Sequence, residues 1–258
     1  MNEPAIKPPP QIRIERLTEL DQFNRCVELQ HAVWSYDISG MVTQKVFILA
    51  SQIGGQVIGA FDGDTLVGYA MSLPGVRNGH VYLHSHHLAV LADWRNVGVG
   101  RRLKLAQRDD ALVRGFELME WTFDPLEIKN AHLNFARLGA ISRRYSRNVY
   151  GNSTSPLQGG LPTDRLYAEW WLKSERVKRV LAGGTPDILV VEHIDVPVEI
   201  ADWKTSEATR PKARDVQSQN AAALESAFTH GLAVIGYERN AHGDGRFQLG
   251  KWDEDFKY

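Results

Sequence analysis

The sequence predicts an α/β fold, a mixed β-sheet flanked by helices, with a smaller α/β extension at the C-terminal end. Three observations lead there. Stretches that alternate apolar and polar residues are interleaved with stretches of helical period. Glycines or Asp-Gly pairs stand at most of the junctions. The 258 residues are 43% hydrophobic and 24% charged, a globular composition that supports one ordinary core with an appendage.

The elements follow in order. Residues 1–10 hold Pro4, Pro8, Pro9 and Pro10, which remove amide donors and fix φ, so a loose tail is expected. Residues 11–17 alternate as a strand, and Thr18 with Asp21 marks a helix start. Phe23, Cys26, Val27 and Trp34 share one face of that helix, and a second helix spans 43–52 before Gly54-Gly55. Strands at 56–61 and 65–71 flank Asp62-Gly63-Asp64, a hairpin signal. A strand at 81–90 leads through a glycine turn into a helix over 98–114, with Val99, Leu103, Ala106 and Val113 marking its buried stripe. Residues 118–123 form a strand, 126–138 a helix stopped by Gly139, 140–145 an irregular strand and 165–171 a late strand. Beyond a short helix at 174–181, Gly183-Gly184-Thr185-Pro186 marks a boundary. Strand 188–192, helix 213–229 and strands 232–237 and 247–249 complete the chain. The domain expectation is a tail at 1–10, a main domain at 11–182 and an extension at 183–258.

Formal charge is −1, so no global field draws the chain to nucleic acid or anionic lipid. Its distribution is uneven: residues 1–182 carry a net +4 and residues 183–258 a net −5, which places any anion site in the first part. Arg143-Arg144-Tyr145-Ser146-Arg147 is a local basic run, but without a DNA-binding motif no nucleic-acid partner is expected. Cys26 alone makes no internal disulfide, the start has no leader pattern, and no apolar run reaches the roughly 20 residues of a membrane span. The expected compartment is the cytoplasm, with no membrane partner.

The strongest chemical signal is the run from Leu88 to Leu103. An apolar strand, Leu88-Ala89-Val90, enters a turn, Arg95-Asn96-Val97-Gly98-Val99-Gly100, that opens onto a helix starting with Arg101-Arg102. Glycine lets backbone amides approach a phosphate, the helix N-terminus adds partial positive charge, and the arginines add full charges. It is neither a dinucleotide fingerprint, lacking the third glycine, nor a P-loop, lacking Gly-Lys-Ser/Thr.

This block resembles the acetyl-CoA-binding motif of the GNAT acetyltransferases, Gln/Arg-x-x-Gly-x-Gly/Ala after an apolar strand. A second block, from Asn130 to Ala140, is similar to the late GNAT helix, with Ala140 where an aromatic is usual. The resemblance covers about residues 12–172. It implies a GNAT-like splayed sheet and an N-acetyltransferase that moves an acetyl or acyl group from acetyl-CoA to an amine acceptor by direct attack. Leu88, Ala89 and Val90 would hold the pantetheine arm, Asn96 to Arg101 the pyrophosphate with Arg95 and Arg102 beside it, and Asn130 the pantetheine end. The position of the usual glutamate base is occupied by His84, with His86 two residues on; Glu120 and Asp124 are alternative carboxylates. Phe135 stands where a tyrosine acid is usual and cannot donate a proton; Asn134, Tyr145 or solvent are the substitutes. His84 and His86 are expected on one strand face, Ser85 and His87 on the other.

Two other readings stay open. One is a non-catalytic CoA-binding or regulatory module. The other is a metal enzyme built on His80, His84, His86 and His87, although no third ligand at suitable spacing is present and no metal is expected. The extension has three open roles: covering a sheet edge, completing an acceptor pocket or building a homodimer.

Overall fold

The structure is a computed structural model that describes residues 11–34, 40–151, 153 and 158–252. The expected tail at 1–10 and parts of the loops after the first helix and after Gly151 lie outside the described residues. A seven-stranded sheet holds β1 (Ile12–Arg16), β2 (Gln56–Asp62), β3 (Thr65–Arg77), β4 (His80–Val90), β5 (Leu118–Phe123), β6 (Tyr145–Ser146) and β7 (Arg165–Trp171). Their spatial order is β1-β2-β3-β4-β5-β7-β6. The Asp-Gly signal gives the expected β2–β3 hairpin, with Asp62 opposite Thr65 and Gly63 at φ 58°. A second hairpin that the sequence reading passed over joins β3 to β4 through Asn78 and Gly79, both at positive φ. Asn-Gly with two left-handed residues is the favoured two-residue turn.

Alternation, reset by a bulge at Val67 of β3, sorts the sheet's two faces. Val57, Tyr69 and Met71 pack under α1 (Leu20–Trp34) and α2 (Gln44–Gln52), while Ile58, Ala60, Val67 and Ala70 meet α3 (Val99–Val113). The buried side of α3 is Val99, Leu103, Lys104, Gln107 and Ala111. The expected stripe is corrected at Val113, which is 89% exposed because it points away from the sheet. The late helix is α4 (Ile128–Ala131), which widens into a π-helical turn at His132–Arg137 before Gly139.

Beyond α5 (Glu175–Leu181), a three-stranded sheet β8-β10-β9 is built from β8 (Glu192–Val196), β9 (Leu232–Arg239) and β10 (Gly245–Lys251), with α6 (Ile200–Thr205) and α7 (Arg210–Thr229). The expected strand at 188–192 falls instead at β8, because Ile194 and Val196 alternate with polar residues and are buried, whereas Leu189 and Val191 face solvent. This sheet shares the main core: Ile194, Val234, Phe247 and Leu249 belong to the same buried cluster as Met119, Trp121 and Phe135. Ser142 and Val234 exchange two backbone hydrogen bonds, at 3.0 and 2.8 Å. The Lys204 ammonium is buried between Asp124 (2.8 Å) and Glu127 (2.7 Å).

Candidate active site

The β4–β5 ladder is parallel and has two rungs, Leu83 with Met119 and His84 with Glu120. Beyond them the strands diverge, so β4 leaves a backbone edge from Ser85 onward that β5 does not pair. At the top of β4 the chain turns through Ala92–Trp94 and two left-handed residues, Asn96 (φ 64°) and Gly98 (φ 89°), and enters α3. No side chain caps α3. Its first hydrogen bond runs from Arg102 N to Gly98 O, and the amides of Val99, Gly100 and Arg101 precede the helical ladder and point out of its end. An ideal Cβ on Gly98 meets nothing within 4 Å, and one on Gly100 touches only Leu88 and Val90 at 3.8 and 4.0 Å. Packing against Leu88 and Val90 therefore does not demand Gly100. Uncapped amides and the dipole of a 15-residue helix make a cradle of a kind that suits an anion.

The arginines near that cradle divide. Arg95 Nε donates to Val90 O at 2.9 Å and Arg102 to Ile12 O at 2.6 Å, so both brace the turn, while Arg101 Nε is buried without a partner. Leu88 and Val90 are half-buried, Ala89 is buried and Asn130 is exposed on α4.

On the face beneath α1 and α2, β4 carries a bulge. Met71 pairs with His87 and Ser72 with Ser85, leaving His86 as the extra residue. The bulge corrects the expected alternation. His87 does not share Ser85's side: its ring stacks on His86 at 4.6 Å, meets Tyr69 OH at 3.0 Å and lies 4.8 Å from Trp34. His84 lies 6.1 Å from His86, ring to ring. Burial first, then the neighbouring His86, pushes the His84 imidazole down to about 4, against a pull upward from Glu120. Burial pushes His87 down to about 3.

Glu120, one of the two alternative carboxylates, is buried. It accepts from Arg77 at 2.8 Å and from Arg144, and lies directly across from Glu169, which accepts from Arg143 at 2.6 Å. The two carboxylates are 3–4% exposed and the three arginine side chains 25–40%. An approaching molecule therefore meets guanidinium groups before carboxylate. Arg77 and Glu169 were not singled out from sequence, and Arg143 only as part of a basic run, because cross-strand pairing alone brings them together.

On the α3 face, at the mouth of the divergence, lies a feature that the sequence reading also missed. Lys104 Nζ donates to Ser85 Oγ at 2.8 Å and sits 3.5 Å above the Trp121 ring. Ser85 Oγ donates to Gln107 Oε1 at 3.0 Å, and Trp121 Nε1 to Asn134 Oδ1 at 3.2 Å. Asn134 Nδ2 is buried without a partner. The signal was present: Gly100, Lys104, Gln107 and Ala111 follow helical spacing, which turns a lysine inward. Phe135 is packed edge-on to Phe123 and Phe247. Tyr145 donates to the Asp164 carboxylate at 2.6 Å, and burial with that bond raises its pKa, so it is a poor acid.

Among the described residues, no three metal-ligating groups that include the β4 histidines come together. The one such cluster is Glu199, His242 and Asp244, on the surface of the C-terminal part. No helix among the described residues is long and apolar enough to cross a membrane.

No family model and no curated protein sequence matches the chain. Solved structures do. The ribosomal-protein-S18-alanine N-acetyltransferase from Escherichia coli superposes with a TM-score of 0.51 at 15% identity, over 64% of this chain and 96% of that one. A GNAT-family protein from Desulfovibrio desulfuricans gives 0.50 at 13% identity, over 62% and 99%. A Salmonella typhimurium protein solved with its cofactor acetyl-CoA gives 0.50 at 16% identity, over 64% and 95%.

Proposed function

From the GNAT fold that this chain has, we propose that the protein is an N-acetyltransferase that moves the acetyl group of acetyl-CoA onto an amine acceptor. The observation that carries the reading is a strand pair that opens after two rungs toward an uncapped helix N-terminus. An edge strand offers hydrogen bonds to an extended amide-bearing arm, and free helical amides suit a pyrophosphate. No other place among the described residues joins these two features.

Bound there, acetyl-CoA supplies an acetyl thioester. Leu88, Ala89 and Val90 pair their backbone with the pantetheine arm, the amides from Asn96 to Arg101 hold the pyrophosphate, Arg101 adds charge, and Asn130 borders the pantetheine end. Arg95 and Arg102 keep the turn in shape through their carbonyl contacts. His84 takes the proton of the attacking amine, directly or through water at His86. Its lowered pKa keeps the imidazole unprotonated at neutral pH, which a proton acceptor requires. Glu120, held by Arg77 and Arg144, faces His84 across their shared rung and steadies the His84 strand.

Calorimetric titration tests the cofactor. Micromolar binding of acetyl-CoA and CoA, with none of NAD, is expected; no binding would leave the glycine turn a structural element. Phe135 in the core favours a second reading, a CoA-binding module without turnover, which binding with no transfer across a broad amine panel would establish. For the base, His84→Ala is expected to lower turnover about 100-fold or more, the range of a general base, with the acetyl-CoA dissociation constant within threefold. Wild-type rates from pH 6 to 9 would remove His84 from the mechanism.

A further inference from the structure

Lys104 is buried, 2% exposed, and no carboxylate among the described residues is paired with it. An amine in that position is expensive to keep, since burial penalises its charged form; the same burial lowers its pKa well below that of a free lysine, which makes its ammonium a stronger acid than an exposed one. Methionine or leucine would fill the same volume without that penalty. What surrounds it is specific. Ser85 and Trp121 are the first residues past the last β4–β5 rung, one on each strand, and Nζ lies against both. Its bonds use one N–H on Ser85 Oγ and aim the charge at the Trp121 face, so a third N–H remains. The Ser85 hydroxyl is oriented to accept from Lys104 because its own proton goes to Gln107 Oε1. Asn134, tied to the other side of Trp121, adds an unpartnered donor. The titratable groups near this mouth are few: on β4, His84 feels the Lys104 charge; on β5, Glu120 is held by two arginines; on α3, Arg108 is turned to Leu172 O; and the π-helical turn after α4 contributes only Asn134 and Phe135, neither of which titrates.

We propose that Lys104 is the proton donor to the thiolate that leaves when the acetyl group is transferred, the task that Phe135 cannot perform. This rests on the acetyl-transfer reading. The acceptor nitrogen forms a bond to the thioester carbonyl carbon and gives its proton to His84. The carbon–sulfur bond breaks with its electron pair going to sulfur. Lys104 delivers one ammonium proton to that sulfur, leaving free CoA thiol and a neutral amine, and the proton on His84 returns through solvent to restore Lys104. No oxidant or metal enters the balance.

The test compares Lys104→Met with wild type using acetyl-CoA and its selenoester analogue, whose selenolate departs without a proton. Wild type is expected to use both donors at rates within about tenfold. Lys104→Met is expected to melt at a higher temperature, because a buried unpaired amine has been replaced by an apolar chain, and to bind CoA within threefold of wild type. Its kcat with the thioester is expected to fall about 100-fold or more, in the range of general acid catalysis, and to return to within tenfold of wild type with the selenoester. Equal losses with both donors, or wild-type kcat with acetyl-CoA, would overturn the assignment. So would a fall in melting temperature and CoA affinity that accounts for the lost rate. If the variant does not fold, a large wild-type preference for the selenoester overturns it independently. Failure of wild type to bind acetyl-CoA would instead remove the acetyl-transfer reading beneath it, a result distinct from all of these.

Discussion

Gly98→Glu is expected to weaken acetyl-CoA binding at least 100-fold while the chain stays folded. Gly98 has φ 89°, and a side chain in the left-handed region costs about 1–2 kcal/mol. That is a small part of the roughly 5–15 kcal/mol that holds a domain together, and no atom lies within 4 Å of the new Cβ. Folding should therefore survive. The ligand meets a different situation, because a carboxylate at the uncapped end of α3 competes for the amides of Val99, Gly100 and Arg101 and repels a pyrophosphate. Gly98→Asn, which tolerates the same backbone without charge, should lose much less affinity. Calorimetry beside thermal melts reads both quantities, and unchanged affinity in Gly98→Glu would detach the loop from cofactor binding.

Ending the chain after Leu181 is expected to yield protein that is insoluble or lacks a cooperative melt. The cut removes Lys204 from Asp124, a carboxylate only 9% exposed, and breaking such a buried pair costs about 3–5 kcal/mol. It also removes Phe247 from the edge of Phe135, the two backbone bonds that Val234 makes with Ser142, and the Ile235 carbonyl that accepts from buried Arg176. Together these losses approach the whole stability of an ordinary domain. Sedimentation and circular dichroism of residues 1–181 would decide it. A soluble fragment with the full chain's acetyl-CoA affinity would show that the extension is dispensable.

Local signals carried much of the fold. Alternation placed the strands from Ile12 to Trp171, Asp-Gly placed one hairpin, and glycines ended the helices. The strand, glycine turn and uncapped helix start were legible for the same reason: they are a continuous stretch of chain, Leu88 to Arg102, whose geometry is set by neighbouring residues. Side chains that converge from separate strands were not. Arg77, Glu120, Arg143 and Glu169 meet because β5 pairs with β4 on one side and β7 on the other, and nothing in their spacing says so. The β4 bulge is likewise invisible to a period-two count, since one extra residue reverses every side chain after it. Lys104 was the recoverable omission. Helical spacing points it inward, but a lysine reads as surface unless its position outweighs its chemistry.

The two ends of the seven-stranded sheet bear on how the protein behaves when concentrated. A bare strand edge recruits other chains by extending the ladder, a route to aggregation. Here β1 spans five residues and carries Arg13, Glu15 and Arg16. At the far end β6 is only two residues long, and next to it Ile141 bridges to β7 while β9 of the second sheet closes on Ser142. One end is short and charged, and the other is a two-residue strand beside a stretch that the chain's own C-terminal part pairs. A second copy that associates with this molecule is thus directed to side-chain surfaces, and a sheet growing from copy to copy finds no ready template at either end.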